Sequence, residues 1–212
     1  MLRKGASLIV LAALAVGAQA ATLLSPGGAV LVPDEEYVTG GDVLATRFED
    51  FEITNALGEI RATGTVGSQV QRDVDGHLTF LYVIINDETS LDPLVRVTMT
   101  DFGGFLTWVA QDLENGFGPQ KATSADRASN GGTIGFEFMS TPLGLGNIDP
   151  GEASTVLWIH TNAYDFRDGT VSVIDGGVDT VLSYAPIVPE PASMATLAIG
   201  AAALLRRRSK KA

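Results

Sequence analysis

Apolar and polar side chains alternate with a period of two along most of the chain between residues 42 and 186. Phe51 and Ile53 fall on one side of an extended backbone, with Glu52 and Thr54 on the other, the pattern of a strand with one buried face. Val95, Val97 and Met99 alternate in the same way with Arg96, Thr98 and Thr100. Leu78 to Ile85 is apolar on both faces, which predicts a central strand covered on each side. Arg61 to Gln71, polar and containing Thr and Gly, reads as an edge strand or hairpin arm. Phe105 to Val109, Thr133 to Met139, Thr155 to Thr161, Thr170 to Ile174 and Asp179 to Tyr184 continue the series, and Ala21 to Thr39 reads as an irregular lead-in with a first short strand. About ten strands joined by short turns, with no long 3.6-residue period before residue 187, predict a single all-β domain over residues 21–186, a β-sandwich of jelly-roll-like kind. The polar stretch Gln111 to Gly132 is the exception and is predicted to be a long surface loop with a helical turn around Ala122 to Ala128. No fixed-period repeat argues for a solenoid.

Both ends of the chain depart from this pattern. Residues 1–20 carry Arg3 and Lys4, then an apolar run from Ala6 to Val16, then Ala18-Gln19-Ala20. That is the layout of a secretory signal peptide cut before Ala21. At the other end, residues 187–212 hold Pro189-Glu190-Pro191, an uncharged run from Ala192 to Leu205, and the basic residues Arg206, Arg207, Arg208, Lys210 and Lys211. As a helix the 14 residues 192–205 would extend ~21 Å at ~1.5 Å per residue, short of a bilayer core ~30 Å thick. Six of them are alanine, so the segment is weakly hydrophobic as well. The prolines and Glu190 block extension toward the N-terminus, and the basic cluster (residues 206–211) is expected to stay cytoplasmic and act as a membrane stop. The sequence therefore predicts a transient transmembrane helix.

Pro189, Glu190 and Pro191, the short hydrophobic run and the basic end together resemble the PEP-CTERM sorting tail. The tail also resembles sequences catalogued as an ice-binding protein C-terminal region, a label that describes the sorting element. The resemblance implies a bacterial protein exported to the cell envelope, cell surface or extracellular matrix, with an exosortase as processing partner and exopolysaccharide or other matrix components as neighbours. The body, residues 21–186, carries no such resemblance.

Charge narrows the partners of that body. Of the 14 Lys and Arg, two precede residue 21 and five follow Pro191, while all 25 Asp and Glu lie between. Residues 21–191 are thus near −18, with Lys121 as their one lysine. So acidic a surface repels nucleic acid and anionic membrane. The absence of cysteine excludes disulfides, thiol nucleophiles and thiolate metal sites.

Candidate chemistry is sparse. Asp73-Val74-Asp75-Gly76 is a hairpin turn by composition whose alternating carboxylates, Asp73 and Asp75, also suit calcium. It is no EF-hand, since Ile84 stands where the closing glutamate would fall. Asp165 to Gly169 and Asp175 to Asp179 combine the same residue types and read as turns. The chain has two histidines, His77 and His160: His77 follows a turn glycine and is expected to be exposed, while His160 shares strand parity with Val156 and Trp158. Two histidines without cysteine make zinc only if carboxylates complete the set. Phe105, Trp108 and Phe117 read as packing residues or, alternatively, as a platform for stacking on sugars. Thr63-Gly64-Thr65 and Thr98-Met99-Thr100 lack the repeats that an ordered rank of threonines requires. There is no Gly-x-Ser-x-Gly, His-Glu-x-x-His or phosphate-cradling glycine loop.

These observations predict a structural or binding body, non-catalytic and without a cofactor, sorted by its tail. A calcium-dependent carbohydrate-binding or adhesion module is the first alternative, and a secreted hydrolase with paired carboxylates the second.

Overall fold

A computed structural model describes residues 21–36, 41–113, 117–139 and 146–187. The expected signal peptide, the sorting triplet, the hydrophobic run 192–205 and the basic stop lie outside the described residues. No described helix is long and apolar enough to cross a membrane.

The described residues are all-β. In chain order the strands are β1 (Thr22–Leu23), β2 (Ala29–Leu31), β3 (Asp42–Thr54), β4 (Ile60–Arg72), β5 (Leu78–Asn86), β6 (Arg96–Met99), β7 (Thr107–Asp112), β8 (Ser124–Arg127), β9 (Ile134–Glu137), β10 (Val156–Thr161), β11 (Phe166–Asp175) and β12 (Gly177–Pro186). They form two six-stranded sheets, ordered β1-β7-β10-β5-β4-β3 and β12-β11-β6-β9-β8-β2, with antiparallel pairing between neighbours.

Period-two alternation is what joins the sheets. Phe51, Ile53, Val66, Val70, Phe80, Tyr82, Ile84, Leu157 and Ile159 from the first sheet share one buried cluster with Val97, Met99, Ala125, Ile134, Phe136, Val171 and Val173 from the second. Burying this apolar surface, at about 25 cal/mol per Å2, is the main term holding the sheets together. Along one side the edge strands β3 and β12 meet. There Arg47 donates to Asp168 Oδ1 (2.9 Å) and to the Ser183 carbonyl (3.3 Å), and its guanidinium lies 4.9 Å from the centre of the Tyr184 ring.

Leu78 to Ile85 is indeed an interior strand, β5, between β10 and β4. Arg61 to Gln71 is a hairpin arm, as one of its two readings had it, and not an edge: β3 lies outside it and β5 inside. The expected helical turn at Ala122 to Ala128 is a strand, β8, paired with β2 and β9. Its inward residues are Ala125 and Arg127, and an inward arginine disguises the alternation. Asp165 to Gly169 is not a turn, because β11 begins at Phe166 and only Asp165 stands before it. Asp175-Gly176-Gly177 does turn the chain, with Gly176 at φ 63° between paired Asp175 and Gly177.

Candidate functional site

The turn from β4 to β5 closes through the Gly76 N–H donating to the Asp73 carbonyl (2.9 Å) and the Asp73 N–H donating to the His77 carbonyl (2.8 Å). Gly76 sits at φ 85°, where a side chain is disfavoured. The closed turn sets Asp75 beside His77. The His77 N–H donates to Asp75 Oδ1 (3.0 Å), and His77 Nδ1 lies 2.8 Å from Asp75 Oδ2. These contacts, the backbone N–H foremost, hold the Asp75 carboxyl below its ordinary range.

The second histidine arrives from β10. Register pairs His160 with Thr79 of β5, and both side chains point to the outer face, away from the core residues Leu78, Phe80 and Ile159. His160 Nδ1 lies 2.8 Å from Asp73 Oδ2 and 2.9 Å from the Thr79 hydroxyl, which itself donates to Asp73 Oδ2 (2.6 Å). The rings of His77 and His160 meet edge to face at 6.1 Å, Trp108 of β7 lies 5.6 Å from His160, and the Tyr164 hydroxyl is 2.9 Å from His77 Nε2. Arg72 fastens the turn by donating to the carbonyls of Gly76 (3.1 Å) and Tyr164 (3.2 Å). Asp73, Asp75, His77 and His160, all singled out in the sequence, thus converge at one place. His77 is half-buried rather than exposed.

On the same outer face, a cavity of about 260 Å3 is lined by Thr46 and Phe48 of β3, Gly67, Gln69 and Gln71 of β4, Leu81 and Val83 of β5, Asp112, Phe117 and Val156. Two aromatic rings are open to solvent there, Phe48 at 57% and Phe117 at 63% exposure. The polar side is a chain of amides: Gln71 Nε2 donates to Gln69 Oε1 (2.6 Å), and Gln69 Nε2 donates to the Thr46 hydroxyl (3.0 Å). Gln71 is 4% exposed, and its Oε1 has no hydrogen-bond partner among the described residues. Gly67 makes room, since a methyl group there would come within 2.7 Å of Val83 Cγ1 and 2.9 Å of Phe48 Cε1.

Sequence reasoning missed the amides and Phe48. A signal existed: Phe48 has the parity of Glu52 and Thr54, not that of Phe51 and Ile53, so a large aromatic stands on the wet face of β3. Of the three aromatics proposed for sugar stacking, Phe105 is in the core, Trp108 packs against His160, and Phe117 lines the cavity. Asp168 pairs with Arg47 and Asp179 accepts the Glu52 N–H. Thr63 and Thr65 lie on β4 of one sheet, whereas Thr98 belongs to β6 of the other.

The described residues define an all-β protein of two antiparallel sheets, with a cavity and a histidine–aspartate cluster on the outer face of one of them. Residues 188–209 match the family model of the PEP-CTERM protein-sorting motif. The motif marks a protein sorted to the cell envelope or exterior and implies processing by an exosortase. No curated protein and no solved structure gives a significant match.

Proposed function

We propose that the protein is an envelope or matrix component whose β-sandwich body binds neutral saccharide on the outer face of the first sheet and carries out no catalysis. The observation that carries this reading is a cavity flanked by the exposed rings of Phe48 and Phe117 and lined by the linked side-chain amides of Gln69 and Gln71. Aromatic faces beside hydrogen-bonding amides suit the apolar faces and hydroxyls of a sugar ring. The volume is slightly below the ~300–1,000 Å3 usual for small-molecule sites, which suits one sugar unit of a polymer rather than an enclosed oligosaccharide. Among the described residues Asp112 is the one carboxylate that lines the cavity, whereas glycoside hydrolysis usually uses two; this favours binding over turnover. The acidic body would let neutral exopolysaccharide approach while repelling anionic surfaces.

In the same reading the tail is a temporary hold. Residues 192–205 would rest in the bilayer with Arg206 to Lys211 on the cytoplasmic side until the exosortase cuts near Pro189-Glu190-Pro191.

Titration calorimetry of the purified protein with neutral oligosaccharides released from the producing cell's envelope tests the body's role. Binding that falls at least tenfold in both Phe48→Ala and Gln71→Ala, with folding retained, is the expected result. Binding indifferent to both substitutions removes the cavity from the account, and release of reducing ends during the titration removes its non-catalytic character.

A further inference from the structure

We propose that Asp75, His77 and His160 form a binding site for a divalent transition metal of the zinc type, with Asp73 orienting His160 from behind. The ligand atoms that these three residues offer all lie within 4.8 Å of one another. A tetrahedral zinc ion with bonds of about 2.1 Å brings its ligands to about 3.4 Å apart, so closing the site takes small side-chain adjustments and no movement of β5 or β10. The Asp75 Oδ2 and His77 Nδ1 pair, hydrogen-bonded at 2.8 Å, would give up its shared proton to the solvent and open by about 0.6 Å to admit the ion.

The donor set selects the ion. Two imidazoles with one carboxylate suit zinc and its neighbours in the transition series, while calcium requires six or more oxygens. Both Asp73 and Asp75 direct an oxygen to a histidine, which weakens the turn as an oxygen cage. The placement of Asp73 is informative in its own right. A carboxylate accepting from Nδ1 of a histidine fixes the tautomer and leaves the other ring nitrogen as the ligating atom, the arrangement that supports metal-bound histidines generally. Thr79 donates to the same Asp73 oxygen and so holds that carboxylate in place.

Both histidines of the 212-residue chain are in this one cluster, brought there by a turn and by a strand 83 positions away. The three ligands and Asp73 are distinct from the residues lining the cavity, so the site stands or falls independently of saccharide binding.

Having two histidines makes the test direct. The full chain, prepared in detergent without a polyhistidine tag, is titrated with Zn2+ by calorimetry and by imidazole-detected NMR. One ion per chain is expected to bind, shifting the ring signals of both His77 and His160. His77→Ala and His160→Ala are each expected to weaken binding by tenfold or more. Asp73→Asn should weaken it by about 10–100-fold, the range seen when a carboxylate behind a metal-bound histidine is lost. Circular dichroism of each variant checks that the sheets persist. His77→Ala leaves the core untouched, so it remains informative if His160→Ala fails to fold. No heat with Zn2+, a shift at only one histidine, or binding unchanged in His77→Ala overturns the proposal. So does binding of Ca2+ but not Zn2+, which would return the turn to its oxygen-ligand reading.

Discussion

His160 Nδ1 sits 2.8 Å from Asp73 Oδ2, although the two residues are 87 positions apart in the chain. The contact exists because two local facts combine. The turn at Asp73 to Gly76 folds on its own residues, and the β5–β10 register sets His160 across from Thr79. Either alone leaves a histidine or an aspartate with an ordinary surface role. Together they make a polar cluster on a sheet face, anchored by the interior strand β5.

Asp75 should contribute stability that depends on pH. Its carboxyl is held below the value of 3.8 by the His77 N–H first; burial opposes this, and the His77 side chain adds to the lowering. A depressed folded-state value means that the contribution is present above the unfolded value and is lost as pH falls through the folded one. Asp75→Asn is therefore expected to lower the melting temperature at pH 7 and to have no effect near pH 2. The carboxylate is half exposed, so solvent screening keeps the difference small. Thermal unfolding at the two pH values checks both the sign and the disappearance.

Asp175 should behave in the opposite sense. Burial at the end of β11 raises its carboxyl above 3.8, the nearby Asp92 charge adds to the rise, and Arg61 only partly offsets it. Its Oδ2 has no hydrogen-bond partner among the described residues, and Arg61 is already engaged with both oxygens of Asp92 at 2.6 Å. A raised folded-state value means that stability is fully present below pH 3.8 and declines as pH rises through the folded value. Asp175→Asn removes that decline. Its melting temperature should exceed the parent's by up to a few degrees at pH 7, with the two curves merging below pH 3.8. A drop in stability at pH 7 would mean that the ionised carboxylate has a partner that the asparagine cannot replace.

Arg127 is a buried cation whose hydrogen bonds among the described residues go to neutral acceptors. Its guanidinium donates to the carbonyls of Gly131 (3.0 Å), Leu24 (3.0 Å), Phe102 (2.8 Å) and Phe105 (2.9 Å), and to the Thr107 hydroxyl (2.9 Å). Burial lowers its pKa, yet a guanidinium stays charged in proteins. These bonds tie β8 to Leu24 just after β1, to the Phe102 to Phe105 turn and to β7. Arg127→Met leaves several buried carbonyls unsatisfied at about 1–3 kcal/mol each, moderated by local rehydration. A loss of about 3 kcal/mol or more in urea unfolding is expected, with Arg127→Lys intermediate because a single ammonium cannot reach all five acceptors.

The sequence made some of this architecture readable and hid the rest for identifiable reasons. Phe51 and Ile53 announced β3, and the doubly apolar Leu78 to Ile85 announced an interior strand, because burial acts directly on those side chains. In β8 the inward positions are held by a small residue and by Arg127, so hydropathy saw no strand, and the helix-compatible composition suggested the wrong element. At the site, the Asp-rich turn was legible from residue types. Its meeting with His160 was not, because that depends on strand register, which no local pattern encodes. The cavity was hidden for the opposite reason: Gln69 and Gln71 look like any wet strand face until Phe117 is brought over them from beyond β7.

Glycines of this chain should separate packing from backbone strain. Gly64 lies in the middle of β4, paired with Phe51 on one side and Asn86 on the other. A Cβ there would stand 2.1 Å from the Ile85 carbonyl oxygen and 2.7 Å from Phe51 Cζ. The first neighbour is backbone of an interior strand and cannot yield without disturbing the β4–β5 ladder. Gly58, at the tip of the β3–β4 hairpin, has φ 79° and nothing within 4 Å of an added methyl. Gly64→Ala is therefore expected to cost about 2–3 kcal/mol through forced displacement of packed groups, while Gly58→Ala costs about 1 kcal/mol through the left-handed backbone alone. Urea unfolding of both variants measures the difference. The core reading adds a second signature, since Gly64→Ala should also shift the Phe51 ring resonances, which Gly58→Ala leaves in place. Equal costs in the two variants would mean that β4 can move away from β5, and that the first sheet is looser than its buried face implies.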